Sequence, residues 1–192
     1  MSLGFYYDQT SCIGCLACQV ACKDRNNLEP GYLFRQVASY ETGAFPAPGY
    51  YHYSASCNHC EAPACVANCP TGALQKDPDD DTTQRDTELC IGCGTCVQSC
   101  PYGVPILLEG KGKAGSCDSC KSLRDEGANP ACVDACPMRA LEFGDVEEIK
   151  EKHGDALTNT LPILPSPEKT KPRTQINARP AALMDDFREV LV

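Results

Sequence analysis

The chain has 192 residues, 16 of them cysteine, no tryptophan, 7% aromatic residues and a formal net charge of −9. That length suits one domain or two small intimate ones, and so few aromatics predict a thin apolar core that bound metal must supplement. The acidic balance excludes a nucleic-acid binder, which wants a basic face, and no apolar run approaches the ~20 residues of a membrane span.

Residues 1–8 show no basic n-region, no apolar h-region and no twin arginine, so a signal peptide is not expected. A chain made in the cytoplasm is poor ground for disulfides, and CxxC spacing there points to metal. Residues 5–8 read as a short strand. The first cysteine run follows as Cys12, Cys15, Cys18 and Cys22, and Lys23 stands where a proline would end the turn. A helix from about Ala17 can therefore continue beyond Cys22. Residues 33–40 and 50–55 read as strands, with Gly43, Pro46, Pro48 and Gly49 marking the turn between them.

The second run is Cys57, Cys60, Cys65 and Cys69, with Pro63 placed to begin a short helix. Residues 71–76 read as turn and strand, and residues 77–83 as an acidic solvated loop. The third run is Cys90, Cys93, Cys96 and Cys100, then Pro101. The fourth is Cys117, Cys120, Cys132 and Cys136, then Pro137, with a short helix expected in residues 121–127 and another opened by Pro130. Residues 141–144 read as a closing strand and residues 145–153 as a polar helix ended by Gly154. Beyond it lies an extended tail in which Ile163, Leu164 and Ile176 read as docking residues, and residues 185–192 as a terminal helical turn or two.

The third run has the spacing C-x2-C-x2-C-x3-C-P, the ligand run of bacterial [4Fe–4S] ferredoxins. Three cysteines two residues apart wrap a tight loop around one face of a cube, and the fourth, further along a helical turn, serves a neighbouring cluster. Gly92 and Gly94 suit such a loop because glycine accepts positive φ. Sixteen cysteines divide into four such sets with none left over, an internal repeat that predicts four [4Fe–4S] clusters.

Runs two and three are separated only by residues 70–89 and can form a compact two-cluster unit. Runs one and four must then pair across the chain. By the crossing-over rule the cluster sets are Cys57, Cys60, Cys65 and Cys100; Cys90, Cys93, Cys96 and Cys69; Cys12, Cys15, Cys18 and Cys136; and Cys117, Cys120, Cys132 and Cys22. The expected fold is α+β, two interlocked bacterial ferredoxin-like modules with nested cluster pairing. Residues 1–56 plus 112–154 would make the outer module, 57–111 the inner one, and 155–192 the extended C-terminal tail.

Zinc in four-cysteine sites, giving a zinc-stabilised scaffold, is the remote alternative. His59, inside the second run, reads as a polar loop residue or as a support behind the ligands, and His52 and His153 as surface residues, none of them a ligand. No nucleophile–base pair, phosphate-cradling glycine loop or open metal position is visible, so no catalytic residue is assigned.

Together these stretches carry a resemblance. The four runs in this order, Phe34-Arg35, residues 57–65, Cys100-Pro101-Tyr102-Gly103, residues 136–144 and Lys152-His153-Gly154 resemble the four-cluster iron–sulfur subunits of molybdopterin oxidoreductases. They resemble in particular the subunit of anaerobic dimethyl sulfoxide reductase, over residues 4–154, with a weaker echo in residues 177–180. The resemblance implies a non-catalytic electron-transfer subunit of anaerobic respiration. Electrons would pass between a quinol-oxidising membrane anchor subunit and a molybdopterin catalytic subunit that reduces an S- or N-oxide. Formate dehydrogenase, polysulfide or thiosulfate reductase and hydrogenase complexes use similar subunits and stay open as alternatives. The relative in respiratory nitrate reductase carries a tryptophan in its third run, whereas Cys93 fills that run here. The resemblance further implies association with the membrane through partners, without a span of its own, and it allows folded export with a partner bearing a twin-arginine signal. The first-run cluster would lie nearest the catalytic subunit and the third-run cluster nearest the anchor, with Tyr102 and Val104 toward the quinol side.

Overall fold

A continuous apolar run at the start of a chain makes a strand covered on both faces, and Phe5, Tyr6 and Tyr7 are all buried in β1 (Leu3–Asp8). The computed structural model describes residues 1–154 and 156–191; Asp155 and Val192, both in the expected tail, lie outside the described residues. From β1 the chain passes through the first cysteine run into α1 (Ala17–Arg25), then forms a hairpin of β2 (Gln36–Thr42) and β3 (Gly49–Ala55). The single turn α2 (Ala64–Ala67) leads to a second hairpin, β4 (Leu74–Lys76) and β5 (Thr83–Arg85). After α3 (Thr95–Ser99) comes a third hairpin, β6 (Ile106–Leu108) and β7 (Lys113–Gly115), then the short helices α4 (Lys121–Asp125) and α5 (Ala131–Asp134). The chain closes with β8 (Leu141–Asp145), α6 (Val146–His153), β9 (Gln175–Asn177) and β10 (Arg188–Val190).

β1 is the middle strand of β8–β1–β9, antiparallel to β8 with Phe5 opposite Phe143, and parallel to β9 with Tyr7 opposite Ile176. This brings the segment after the fourth cysteine run against the segment before the first. Asp145 then caps α6 by accepting from the amides of Glu147 (2.9 Å) and Glu148 (3.4 Å), and Lys150, Lys152 and His153 complement the other end of the helix dipole. The second sheet, β10–β2–β3, stacks Tyr40 on Tyr51 with centroids 5.3 Å apart. The tail contributes a strand to each of these two three-stranded sheets, and Leu161, Ile176 and Ala182 are buried in the core, with Ile163 and Leu164 packed against it.

Four local expectations are corrected. Residues 33–35 do not belong to the first strand of the hairpin, which begins at Gln36. Phe34 and Arg35 form a buried bend ahead of the ladder, whose pairing with β3 starts at Gln36 opposite Ala55. The acidic stretch 77–83 is not simply solvated: Asp80, Thr82 and Thr83 are buried, Asp80 accepts from the Thr82 amide (2.9 Å) and hydroxyl (2.6 Å), and it pairs with Arg124 at 2.7 Å. The terminal segment forms β10 rather than a helical turn, because the free edge of β2 offers a ladder and Glu41 pairs with Arg188 at 2.9 Å. The histidines expected at the surface are half-buried or better. His153 stacks on Tyr6 at 3.7 Å and pairs with Glu142, and His52 bonds Ser39 at 2.9 Å.

Candidate metal centres

The four CxxC loops share one backbone device. Their third residue lies in the left-handed region in every run: Gly14 (φ +68°), His59 (+43°), Gly92 (+68°) and Ser119 (+56°). A side chain there costs roughly 1–2 kcal/mol, so His59 and Ser119 hold a conformation that needs compensation. The turn aims successive amides inward, a concavity suited to negative charge. The amides of His59 and Ser119 donate to Cys57 Sγ and Cys117 Sγ, each at 3.4 Å, and the Ala140 amide donates to Cys136 Sγ at 3.3 Å.

Helices then divide the cysteines between sites. Cys18 and Cys22 lie one turn apart on α1; Cys65, Cys96 and Cys132 lie on α2, α3 and α5, with Cys69, Cys100 and Cys136 one turn further on. Helix α1 packs on α5 and α2 on α3. A recess of about 350 Å³ is lined by Cys12, Cys15, Cys18 and Cys136, together with Tyr7 and Ser54. A second, of about 360 Å³, is lined by Cys57, Cys60, Cys65 and Cys100, with Tyr102 and Val104 in its wall. A third, of about 280 Å³, is lined by Cys69, Cys90, Cys93 and Cys96. Cys22, Cys117, Cys120 and Cys132 are all buried and are mutual neighbours, each of the first three feeling the charge of Cys132. Cys117 also neighbours Cys57, and Cys18 neighbours Cys132, so the Cys22 set adjoins both the Cys12 set and the Cys57 set.

None of the sixteen cysteines is paired in a disulfide. Burial pushes Cys57 and Cys117 well up, Cys22 to about 12 and Cys65 to about 11, so these thiols keep their protons at neutral pH until a metal displaces them. Cys90 goes the other way: burial raises it, but the amides of Ala114 and Gly92 and the Arg85 guanidinium, 3.9 Å from its sulfur, outweigh that. Cys93 is held low by the Thr95 hydroxyl at 3.3 Å and the Thr95 amide.

The donor set fits iron–sulfur clusters. Among the described residues no three of His, Cys, Asp or Glu are grouped to hold one metal ion. A lone zinc needs its four sulfurs about 2.3 Å from one point, whereas a [4Fe–4S] cube takes one thiolate at each iron. Arg35 makes the same point from the opposite charge. It is 2% exposed, its Nη1 donates to Ser54 O (3.2 Å) and Oγ (3.0 Å), and its Nε and Nη2 have no partner. Burial works against its charge, and the groups around it that could balance that charge, as metal-bound thiolates, are Cys132, Cys117, Cys18 and Cys22.

Sequence reasoning missed the residues that touch sulfur from afar. Ser54 reaches Cys18 Sγ at 3.5 Å, and Arg85 reaches Cys90 and Cys96; nothing in their local spacing marks them. His59, read as a polar loop residue, is fully buried and accepts from the Thr83 amide at Nδ1 (3.0 Å), with burial and then Lys76 and Arg124 lowering it to about 3.

Two of the sets open to the surface. Cys15 and Cys93 are exposed. Ile13 (56% exposed), Leu16 and Met138 edge the recess of Cys15, and Ile91 (66%) edges that of Cys93. Among the described residues no helix is long and apolar enough to cross a membrane.

Comparison with known proteins agrees in kind. The model of a 4Fe-4S dicluster domain matches residues 49–146, and that of a 4Fe-4S binding domain matches residues 9–27. The chain is 42% identical over 189 residues to the B subunit of anaerobic dimethyl sulfoxide reductase from Escherichia coli K12, covering 92% of this chain and 91% of that protein. It is 40% identical over 178 residues to the corresponding subunit from Haemophilus influenzae, covering 88% and 85%. It is 37% identical over 147 residues to protein NrfC of Escherichia coli K12, covering 76% and 66%.

Proposed function

Since this chain belongs to the family of the iron–sulfur subunit of anaerobic dimethyl sulfoxide reductase, we propose that it relays single electrons between a quinol-oxidising membrane anchor and a molybdopterin catalytic subunit that reduces an S- or N-oxide. The relay uses four [4Fe–4S] clusters, one in each set of cysteines: Cys12/Cys15/Cys18/Cys136, Cys22/Cys117/Cys120/Cys132, Cys57/Cys60/Cys65/Cys100 and Cys69/Cys90/Cys93/Cys96. When bound, such a cluster supplies reversible one-electron storage at a potential that the protein sets through burial, charge and hydrogen bonds to sulfur. The chain performs no bond chemistry itself.

The observation that carries this reading is the unequal exposure of the sets. Cys15 and Cys93 stand at the surface beside exposed apolar side chains, while Cys22, Cys117, Cys120 and Cys132 are buried. A relay needs two open ends for partners and an insulated middle, and apolar rims on a protein surface mark contact sites. The Cys93 end would face the anchor and the Cys15 end the catalytic subunit. The nested division into an outer module of residues 1–56 plus 112–154, an inner module of 57–111 and a tail of 155–192 belongs to the same proposal. It is supported by the packing of α1 on α5 and of α2 on α3. The chain would be held at the membrane by its partners.

The test is purification of the tagged full-length chain from membranes. A complex containing a molybdopterin subunit and an integral membrane subunit, whose iron–sulfur signals are reduced by quinol and reoxidised by dimethyl sulfoxide, is the expected result. Reoxidation by polysulfide alone, or reduction by formate or hydrogen with no anchor present, would overturn it.

A further inference from the structure

We propose that Arg35 is the shared counter-charge of the Cys12/Cys15/Cys18/Cys136 and Cys22/Cys117/Cys120/Cys132 sets and, through Ser54, positions a hydrogen bond on Cys18, raising the reduction potential at both sets. This rests on the reading that each set holds a [4Fe–4S] group.

Arg35 is buried without the partner its charge demands. A guanidinium stays charged at any accessible pH, and burying it unpaired is strongly unfavourable. Among the described residues no carboxylate pairs with it. Its contacts are the Ser54 carbonyl and hydroxyl and the face of Phe5, whose centroid lies 4.7 Å from Cζ. An aromatic face offsets only part of that cost, and Nε and Nη2 remain without partners. The negative charge that would balance this residue, once the sets hold their clusters, lies on cysteines of two sets: Cys18 from one, and Cys22, Cys117 and Cys132 from the other.

Ser54 extends the effect. Its Oγ accepts from Arg35 Nη1 at 3.0 Å, so its own hydrogen is free to point elsewhere, and Cys18 Sγ lies 3.5 Å away. A fixed positive charge and a hydrogen bond to sulfur both favour the more negative, reduced state. Arg35 exchanges neither electron nor proton; it biases the one-electron step by charge alone. The inner sets have cations of their own, Arg85 beside Cys90 and Cys96, and Lys76 on the carbonyl of Cys60 at 2.8 Å. They serve as internal controls.

The experiment is a redox titration followed by electron paramagnetic resonance, on the full-length chain in its purified complex, with Arg35→Met, Arg35→Lys and Ser54→Ala. Signals are assigned with Cys15→Ser and Cys120→Ser. Arg35→Met should lower the reduced-to-oxidised ratio at both outer sets at least tenfold at fixed solution potential, about 59 mV for a one-electron couple. Arg35→Lys should lower it less, and Ser54→Ala should lower it at the Cys18 set alone. The signals assigned to the Cys57 and Cys90 sets should not move. Four unchanged potentials in a fully loaded Arg35→Met variant, or equal shifts at all four sets, would overturn the proposal. If Arg35→Met fails to load, Arg35→Lys and Ser54→Ala decide, and no shift in either overturns it. A wild-type complex with fewer than four clusters would instead defeat the underlying reading, before any variant is compared.

Discussion

Ile176 fastens the tail to the cysteine framework, and its truncation to alanine should loosen one metal centre before the others. The residue is 1% exposed, lies opposite Tyr7 in the parallel pairing of β9 with β1, and exchanges backbone bonds with Thr158 at 2.7 and 3.0 Å. Replacing a fully buried isoleucine by alanine costs about 2–5 kcal/mol, transfer and cavity together. In a chain of this size each kcal/mol lowers the unfolding midpoint by about 2–4 °C, so a mid-range loss of about 3 kcal/mol corresponds to about 6–12 °C. The damage should be local, because β1 also carries Tyr7, which lines the recess of Cys12, Cys15, Cys18 and Cys136. The assay is thermal bleaching of the iron–sulfur chromophore in the loaded full-length chain, with electron paramagnetic resonance on samples withdrawn along the ramp. Ile176→Ala should bleach early and lose the signal of that set first. Phe45→Ala, at a side chain 93% exposed, should stay within about 0.5 kcal/mol of wild type. Unchanged bleaching in Ile176→Ala, or first loss from the Cys90 set, would refute the reasoning.

Cys96→Ser should leave a three-iron cluster, or none, at the Cys69/Cys90/Cys93/Cys96 recess while the Cys12 and Cys22 sets keep their signals; equal disturbance of all signals would contradict the division of ligands. Asp80→Asn breaks a largely buried pair with Arg124 and should cost about 3 kcal/mol, read as earlier thermal bleaching that added salt does not reverse. The Asp80 carboxyl is held at about 2 although burial alone would raise it, because the Thr82 hydrogen bonds and Arg124 outweigh that. Its contribution is therefore complete above about pH 4 and fades as pH falls through about 2, and Asp80→Asn should remove that share of the acid limb. Loading of the apoprotein with iron and sulfide should release protons and proceed further at pH 8.5 than at pH 7, since burial keeps Cys22 and Cys65 protonated. A loading yield that ignores pH would count against thiolate ligation at those positions.

The cysteine framework was legible because its geometry is local. A two-residue step, a left-handed third residue and a pair of cysteines one helical turn apart are written within about a dozen residues in three runs and within 117–136 in the fourth, and Gly14 and Gly92 announce the turn. His59 and Ser119 occupy the same conformation without announcing it. The apolar run at Phe5–Tyr7 and the docking of Ile176 could likewise be read from side-chain character alone. What could not be read were contacts made across the chain by residues whose neighbourhoods say nothing. Arg35 is an ordinary cation until Ser54 and Phe5 enclose it, and Arg85 gains its place by Cys96 through the β4–β5 hairpin. The acidic stretch 77–83 misled for the same reason, since Arg124, which draws Asp80 inward, lies 44 residues away. Residues 185–192 read as a helical turn or two, because the sequence does not show the free edge of β2 on which Arg188–Val190 pair instead.

The central claim is that sixteen cysteines hold four [4Fe–4S] clusters, and the most direct measurement is the iron and acid-labile sulfide content of the anaerobically purified full-length chain. Four such clusters require about sixteen iron atoms and about sixteen sulfides per chain, with zinc far below one equivalent. Zinc at about two to four equivalents with no labile sulfide would contradict the claim outright.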